Sequence, residues 1–371
     1  MGEGGVPSWS ITPGCSVRRR GVGSQPSRRR RTVCGHASPV DNRGVEIARA
    51  AGYALRRRIA PPVGAVLGRR DAIETTAPDG PDPYGDTDPA WLKIDWREHL
   101  HSVDVGGTPI TYVEIGEGHP IVFVHGLSGS WQNWLENISV LANRGFRALA
   151  LDLPGFGASP MPTWPISVPA YGSLVNDFSR ALNLHAVTLV GNSMGGFVCA
   201  EVAVRDPMWV ERLVLVSAAG ISHATMKRHP AEVSAPLGEL IEPLSARLRD
   251  ASMRWPRLRD IAFGNVFRHP RLIPRELLWE FWQGGTSSPG FMPAVRALAG
   301  YDFLDRLERI AVPTLIVWGR DDQIVPARDA AGYHERIRES ELAIFGDCAH
   351  VPMAERPVRF NRLVERFADA R

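Results

Sequence analysis

The order of apolar and polar positions changes character near residue 100. Beyond that point residues 101–105 and 109–115 alternate on either side of Gly106-Gly107, the pattern of two strands joined by a two-residue turn that tolerates positive φ. The rhythm then shifts to short continuous apolar runs at 121–124, 148–151, 187–190, 213–216 and 315–318, with a shorter run at 343–345. Runs without alternation are expected of strands buried on both faces. Helix-length segments lie between most of them, at 131–142, 168–182, 196–204 and 327–338. A hairpin followed by alternating strands and helices predicts an α/β fold, a mostly parallel sheet with helices on both faces. In such sheets ligands bind at the carboxyl ends of the strands.

One connection breaks this economy. About ninety residues separate Ser217 from Val312, far more than a connection in a compact domain needs. Apolar spacing predicts helices at 237–248, 255–263, 274–281 and 292–307, carrying Trp255, Phe263, Phe267, Trp279, Phe281, Trp282, Phe291 and Met292. The predicted organisation is therefore a core of residues 91–220 and 311–371, with a helical insertion at 221–310. Packing against the core is the expected role for most of these aromatics. Arg254, Arg257, Arg259, Arg268 and Arg271 are expected to form a solvated face, with a ligand carboxylate as the alternative partner.

The first 90 residues read as an extension. Residues 1–45 hold eight arginines against Glu3 and Asp41, are rich in Ser, Gly and Pro, and show no periodicity. Such a segment cannot bury enough apolar surface to offset its ordering entropy, and disorder is expected. It lacks the apolar stretch of a secretory signal and resembles an organellar leader in its Arg and Ser content. The favoured alternative is non-functional sequence ahead of the true start, with a cytoplasmic location expected. Residues 46–60 have helical spacing with a basic face, which would suit either an anionic membrane surface or the main domain. Residues 79–88, rich in Pro, Gly and Asp, read as a linker.

Composition narrows the classes further. The 371 residues are 44% hydrophobic and 22% charged, with a formal net charge of +3, so no overall field argues for a nucleic-acid partner. Cys15, Cys34, Cys199 and Cys348 are scattered, implying neither a zinc site nor a disulfide framework. No apolar stretch is long enough for a transmembrane helix. No metal or organic cofactor is called for, and oligomeric state is not legible in these residues.

Chemistry is concentrated in the loops after the apolar runs. Gly191-Asn-Ser-Met-Gly195 follows the third run and places Ser193 at the tip of a strand-turn-helix pattern. Asp321 and Asp322 follow the run ending at Trp318, and His350 follows the last run. Serine, acid and histidine in that order supply what nucleophilic acyl chemistry requires: a hydroxyl, a base for its proton, and a carboxylate that orients the base.

With the loops His125-Gly-Leu-Ser-Gly-Ser130 and Asp152-Leu-Pro-Gly-Phe-Gly157, these motifs make residues 100–370 resemble the α/β-hydrolases. The resemblance implies Ser193 as nucleophile, His350 as general base, and Asp322 rather than Asp321 as its partner. It places the oxyanion-binding amides at Met194 and Leu127, makes the insertion a cap, and gives His125 and Asp152 structural duties. A serine at the elbow argues against epoxide hydrolases and haloalkane dehalogenases, which use aspartate there. A hydrolase of carboxylic esters, with a hydrophobic acyl or lipid-type substrate, is the leading expectation. A C–C bond hydrolase of vinylogous diketone acids is the alternative, since Asn192 matches a residue that faces substrate in those enzymes. Against it, Val351 follows His350 where a tryptophan is common. A silent, ligand-binding relative of this fold is the alternative outside enzymes.

Overall fold

The computed structural model describes residues 82–86, 88–224, 247–281, 287–299 and 301–369. The segments at 1–45 and 46–60, most of 237–248, and Trp282 lie outside them. Eight strands form one sheet: β1 Leu100–Val105, β2 Thr108–Ile115, β3 His119–Val124, β4 Phe146–Leu151, β5 Val187–Asn192, β6 Val210–Val216, β7 Thr314–Gly319 and β8 Ser340–Phe345. Their spatial order is β1-β2-β4-β3-β5-β6-β7-β8. β2 runs antiparallel to β1 and β4, and all later pairings are parallel.

Local sequence accounts for these elements. Gly106 and Gly107 turn the first hairpin at φ 60° and 84°, a conformation that costs glycine little. The last run is longer than its apolar residues suggest, because Ser340 and Glu341 pair with Thr314 and Leu315 despite their polar side chains. β5 and β7 are buried at every position, as continuous apolar runs predict. Helices α1 Leu135–Ala142, α2 Val168–Ala181 and α3 Met194–Arg205 follow in order. α2 begins with Ser167 Oγ accepting from Ala170 N at 3.2 Å and with a proline in its first turn.

The sheet has an apolar layer on each face. Val122, Leu149, Leu189, Leu213 and Ile316 pack with Val175, Phe178, Phe197 and Val198 of α2 and α3. Ile121, Phe123, Ala150, Val190 and Val317 pack on the other face with Trp134, Leu141, Phe360 and Val364. Burying each large apolar side chain stabilises the fold by about 1.5–3 kcal/mol.

Within the connection from β6 to β7 the described residues hold α4 Pro256–Phe263, α5 Arg275–Phe281, α6 Phe291–Leu298 and a 3-10 stretch, Leu304–Arg309. The single helix expected over 292–307 is divided, with Ala299 extended ahead of Gly300, a poor helix former. Hydrogen bonds tie this segment to the carboxyl end of the sheet. Asn133 Nδ2 donates to Phe281 O at 3.2 Å, His350 N to Val266 O at 3.1 Å, and Gly290 N to Gly155 O at 2.9 Å. Phe263, Phe267 and Phe281 are buried, whereas Trp255 and Trp279 are 66% and 44% exposed. After β7 come α7 Arg328–Arg336 and α8 Pro357–Asp369. The latter turns Phe360, Leu363, Val364 and Phe367 inward at helical spacing.

The linker expected at 79–88 is corrected where it is described. Gly85 N donates to Glu355 O at 2.8 Å, Arg356 Nη1 to Asp82 O at 3.0 Å, and the Tyr84 hydroxyl bonds the Glu355 carboxylate. Turn-forming residues suggested a free connector, but Tyr84 among them finds a buried partner and converts residues 82–86 into a strap across the core.

Candidate active site

Ser193 stands between the end of β5 and the start of α3 at φ 54°, ψ −117°. That conformation costs a side-chain-bearing residue of order 1–3 kcal/mol and persists only where the surroundings over-determine it. Here they do. Ser193 N donates to Val216 O at 2.9 Å, and Ala219 N donates to Ser193 O at 2.9 Å. The flanking glycines allow the approach: a Cβ on Gly191 would collide with the Gly195 carbonyl, and one on Gly195 with the carbonyls of Val124 and His125. From residue 187 to 203 every residue is buried except Ser193. The fold spends its strain on presenting one hydroxyl outward. Gly195→Ala is accordingly expected to destabilise by about 1–3 kcal/mol, the usual cost of forcing atoms into a filled site. Chemical denaturation would check this, and an unchanged midpoint would contradict the packing described.

His350 and Asp322 meet at the ends of β8 and β7. His350 Nδ1 lies 2.7 Å from Asp322 Oδ2, and both side chains are buried. The second oxygen of Asp322 accepts from Ile324 N at 2.8 Å and Val325 N at 2.9 Å, which fixes the carboxylate. With the carboxylate accepting at Nδ1, the ring proton of a neutral imidazole resides there, and Nε2 is left with its lone pair. Asp321, the neighbouring candidate, instead pairs with Arg268 at 3.3 Å. The two loops are joined by Asp321 N donating to Cys348 O at 2.9 Å.

The loop after β3 runs beside the serine. A Cβ on Gly126 would come within 3.1 Å of Ser193 Cβ. Gly129 N closes a turn to Gly126 O at 3.1 Å, and Ser128 at φ 65° carries Leu127 over it. Met194 opens α3, and the first amides of a helix have no partner inside it. His125 lies beneath, fully buried, accepting at Nε2 from Leu153 N at 2.9 Å and donating from Nδ1 to Gly126 O at 2.7 Å. Burial pushes its pKa down to about 4, so the ring is neutral and structural. Asp152 accepts from Trp131 N and Ala158 N, both at 2.8 Å, and holds two neighbouring loops; burial pushes its carboxyl up to about 7.

Asn192 is bonded to two parts of the site. Its Nδ2 donates to Val216 O at 3.1 Å and His350 O at 3.3 Å, and the residue is buried. Its Oδ1 lies beside the loop after β3, as Ser193 Cβ does, each 3.1 Å from where a Cβ on Gly126 would stand, so Asn192 links the serine turn to the histidine loop next to Ser193. Arg259 donates to the Ser252 and Ile273 carbonyls, and Arg271 pairs with Asp260. Glu355 belongs to the His-x-Pro-x-x-Glu-x-Pro segment that carries His350, and the sequence assigned it no role. Its buried carboxylate accepts from the amides on either side of His350. Among the described residues no group of three or more His, Cys, Asp and Glu could hold a metal ion, and no helix is long and apolar enough to cross a membrane.

The profile of the alpha/beta hydrolase fold matches residues 119–357. The chain belongs to that family. A 2-hydroxy-6-oxo-2,4-heptadienoate hydrolase of Pseudomonas putida is 31% identical over 282 residues, covering 71% of this chain and 94% of that one. A 2-hydroxy-6-oxo-6-phenylhexa-2,4-dienoate hydrolase of Comamonas testosteroni is 29% identical over 71% of this chain and 92% of its own. Among solved structures, a serine hydrolase involved in carbazole degradation superposes with a TM-score of 0.57 at 25% identity, over 73% of this chain and 99% of that one. In this α/β-hydrolase the candidate nucleophile follows β5.

Proposed function

We propose that the protein is a serine hydrolase of small hydrophobic carboxylic esters, working through an acyl-enzyme. The observation that carries this reading is Ser193, the one partly exposed residue of a buried elbow, whose neighbour Asn192 bonds the His350 carbonyl, together with a His350 imidazole whose Nδ1 is held by Asp322. In the proposed cycle the Ser193 hydroxyl attacks the ester carbonyl carbon and its proton passes to His350 Nε2. Asp322 stabilises the imidazolium, and the amides of Met194 and Leu127 receive the developing oxyanion. The intermediate collapses, the alcohol leaves with the proton from His350, and Ser193 remains acylated. Water then attacks the acyl carbonyl, gives its proton to His350, and releases the acid. The helical segment against the strand ends is proposed as a cap that shields this sequence from bulk water.

The relatives from Pseudomonas putida and Comamonas testosteroni support a second reading, hydrolysis of a C–C bond in a dienoate acid. Two features favour the ester. Asn192 is engaged with backbone carbonyls, and Arg259, Arg268 and Arg271 are held by carbonyls or carboxylates rather than left for a substrate carboxylate. The two readings separate in one comparison of kcat/KM, for p-nitrophenyl acyl esters of increasing chain length and for 2-hydroxy-6-oxo-2,4-heptadienoate. Ester turnover exceeding that of the dienoate by at least about tenfold is expected. Efficient dienoate cleavage with weak esterase activity would replace the first reading with the second.

A further inference from the structure

We infer that Glu355, with Tyr84 behind it, is a positioning residue for His350, and that the strap at 82–86 is thereby part of the catalytic apparatus. The inference rests on the reading of Ser193 and His350 as nucleophile and base. Glu355 closes the single helical turn Pro352–Glu355 and is 0% exposed. Its Oε1 accepts from Ala349 N at 2.9 Å and from Val351 N at 3.4 Å, the two amides that flank His350. Its Oε2 accepts from Arg268 N at 2.7 Å and from the Tyr84 hydroxyl. The Tyr84 oxygen accepts in turn from His269 N at 2.8 Å. One carboxylate therefore joins three segments distant in sequence: the histidine loop, the β6–β7 connection, and the strap.

The remaining backbone bonds at His350 lead to the same places. His350 N donates to Val266 O, two residues before Arg268, and His350 O accepts from Asn192 Nδ2 beside the serine. The backbone carrying the imidazole is thus held from the serine turn on one side and from Glu355 on the other. Glu355 touches no reacting atom. Its effect is to set where the imidazole stands relative to Ser193, and a displacement of about 1 Å at such a group can cost roughly a hundredfold in rate.

The donor count explains why a glutamate stands here. An ionised carboxylate is acceptor only, which suits four donors. Glutamine keeps the shape, yet its amide nitrogen would face N–H or O–H donors on one side and break the bonds there. Tyr84→Phe is milder, removing one hydroxyl at the outer end while leaving the ring against His269 and Arg356.

The test uses the full chain and two readouts. One is the second-order rate of Ser193 labelling by a fluorophosphonate probe, and the other is kcat and KM on a p-nitrophenyl ester. Both are read well below the unfolding midpoint measured for each variant. Glu355→Gln is expected to lower labelling and kcat together by about 10- to 100-fold, with KM changed less than about threefold. Tyr84→Phe is expected to lower them by about 3- to 10-fold in the same pattern. Folded variants that label at the wild-type rate would overturn the inference while leaving the hydrolase reading intact. If Glu355→Gln does not fold, the Tyr84→Phe result decides alone. Wild type that resists labelling would instead remove the nucleophile assignment, and this inference with it.

Discussion

Ser193→Ala is expected to lower kcat on an ester substrate by about four to six orders of magnitude and to abolish fluorophosphonate labelling. The expected loss is large because no other hydroxyl occupies the turn between β5 and α3. What should survive is the background supplied by substrate binding and oxyanion donors. The fold should be unaffected: alanine keeps the Cβ that Gly126 approaches, and the backbone bonds of Ser193 to Val216 and Ala219 do not involve its side chain. The φ of 54° is as strained for alanine as for serine, so the unfolding midpoint should stay near the wild-type value. Residual activity above about one per cent, with the same substrate preference, would show that chemistry resides elsewhere.

The second large effect separates two adjacent carboxylates. Asp322→Asn is expected to reduce kcat by about ten-thousand-fold, because an amide at this position supports the wrong tautomer of His350. The isosteric change leaves the shape of the loop, but one amide group must now face either the imidazole or the amides of Ile324 and Val325. Asp321→Asn is expected to change kcat by less than about threefold. Its side chain is partly exposed and pairs with Arg268, and ion pairs of that kind contribute little. Steady-state kinetics on the two purified variants would check this. Equal losses in both would mean that the carboxylate bonded to His350 here is not the one that orients it in turnover.

How far the sequence reaches can be argued from these same residues. The strands were legible because burial on both faces demands unbroken apolar runs, a local property of four to six residues. The serine turn was legible because the close approach of Gly191 and Gly195 leaves no room for a Cβ, so composition records geometry. The order of serine, acid and histidine could be read because parallel topology brings the carboxyl ends of successive strands to one edge. Helix α8 was overlooked although its spacing was present, since no strand or site motif follows it to draw attention to its boundaries.

What the tertiary structure alone decided concerns side-chain direction and partners far apart in the chain. Asp321 and Asp322 are indistinguishable by type, and only the crossing of the β7 and β8 loops gives one to His350 and the other to Arg268. The motif gave Asn192 its place beside the serine, but not that its amide nitrogen bonds the carbonyls of Val216 and His350. Residues 82–86 have the composition of a linker, and the bond between Tyr84 and Glu355 spans 271 positions. The sequence by itself determined the sheet, the elbow and the residue types of the site, because those follow from local periodicity and steric exclusion. Which carboxylate holds the histidine, and what stands behind it, was decided only when distant segments met. Hydrogen-bond partnership depends on where those segments cross, and no local pattern encodes it.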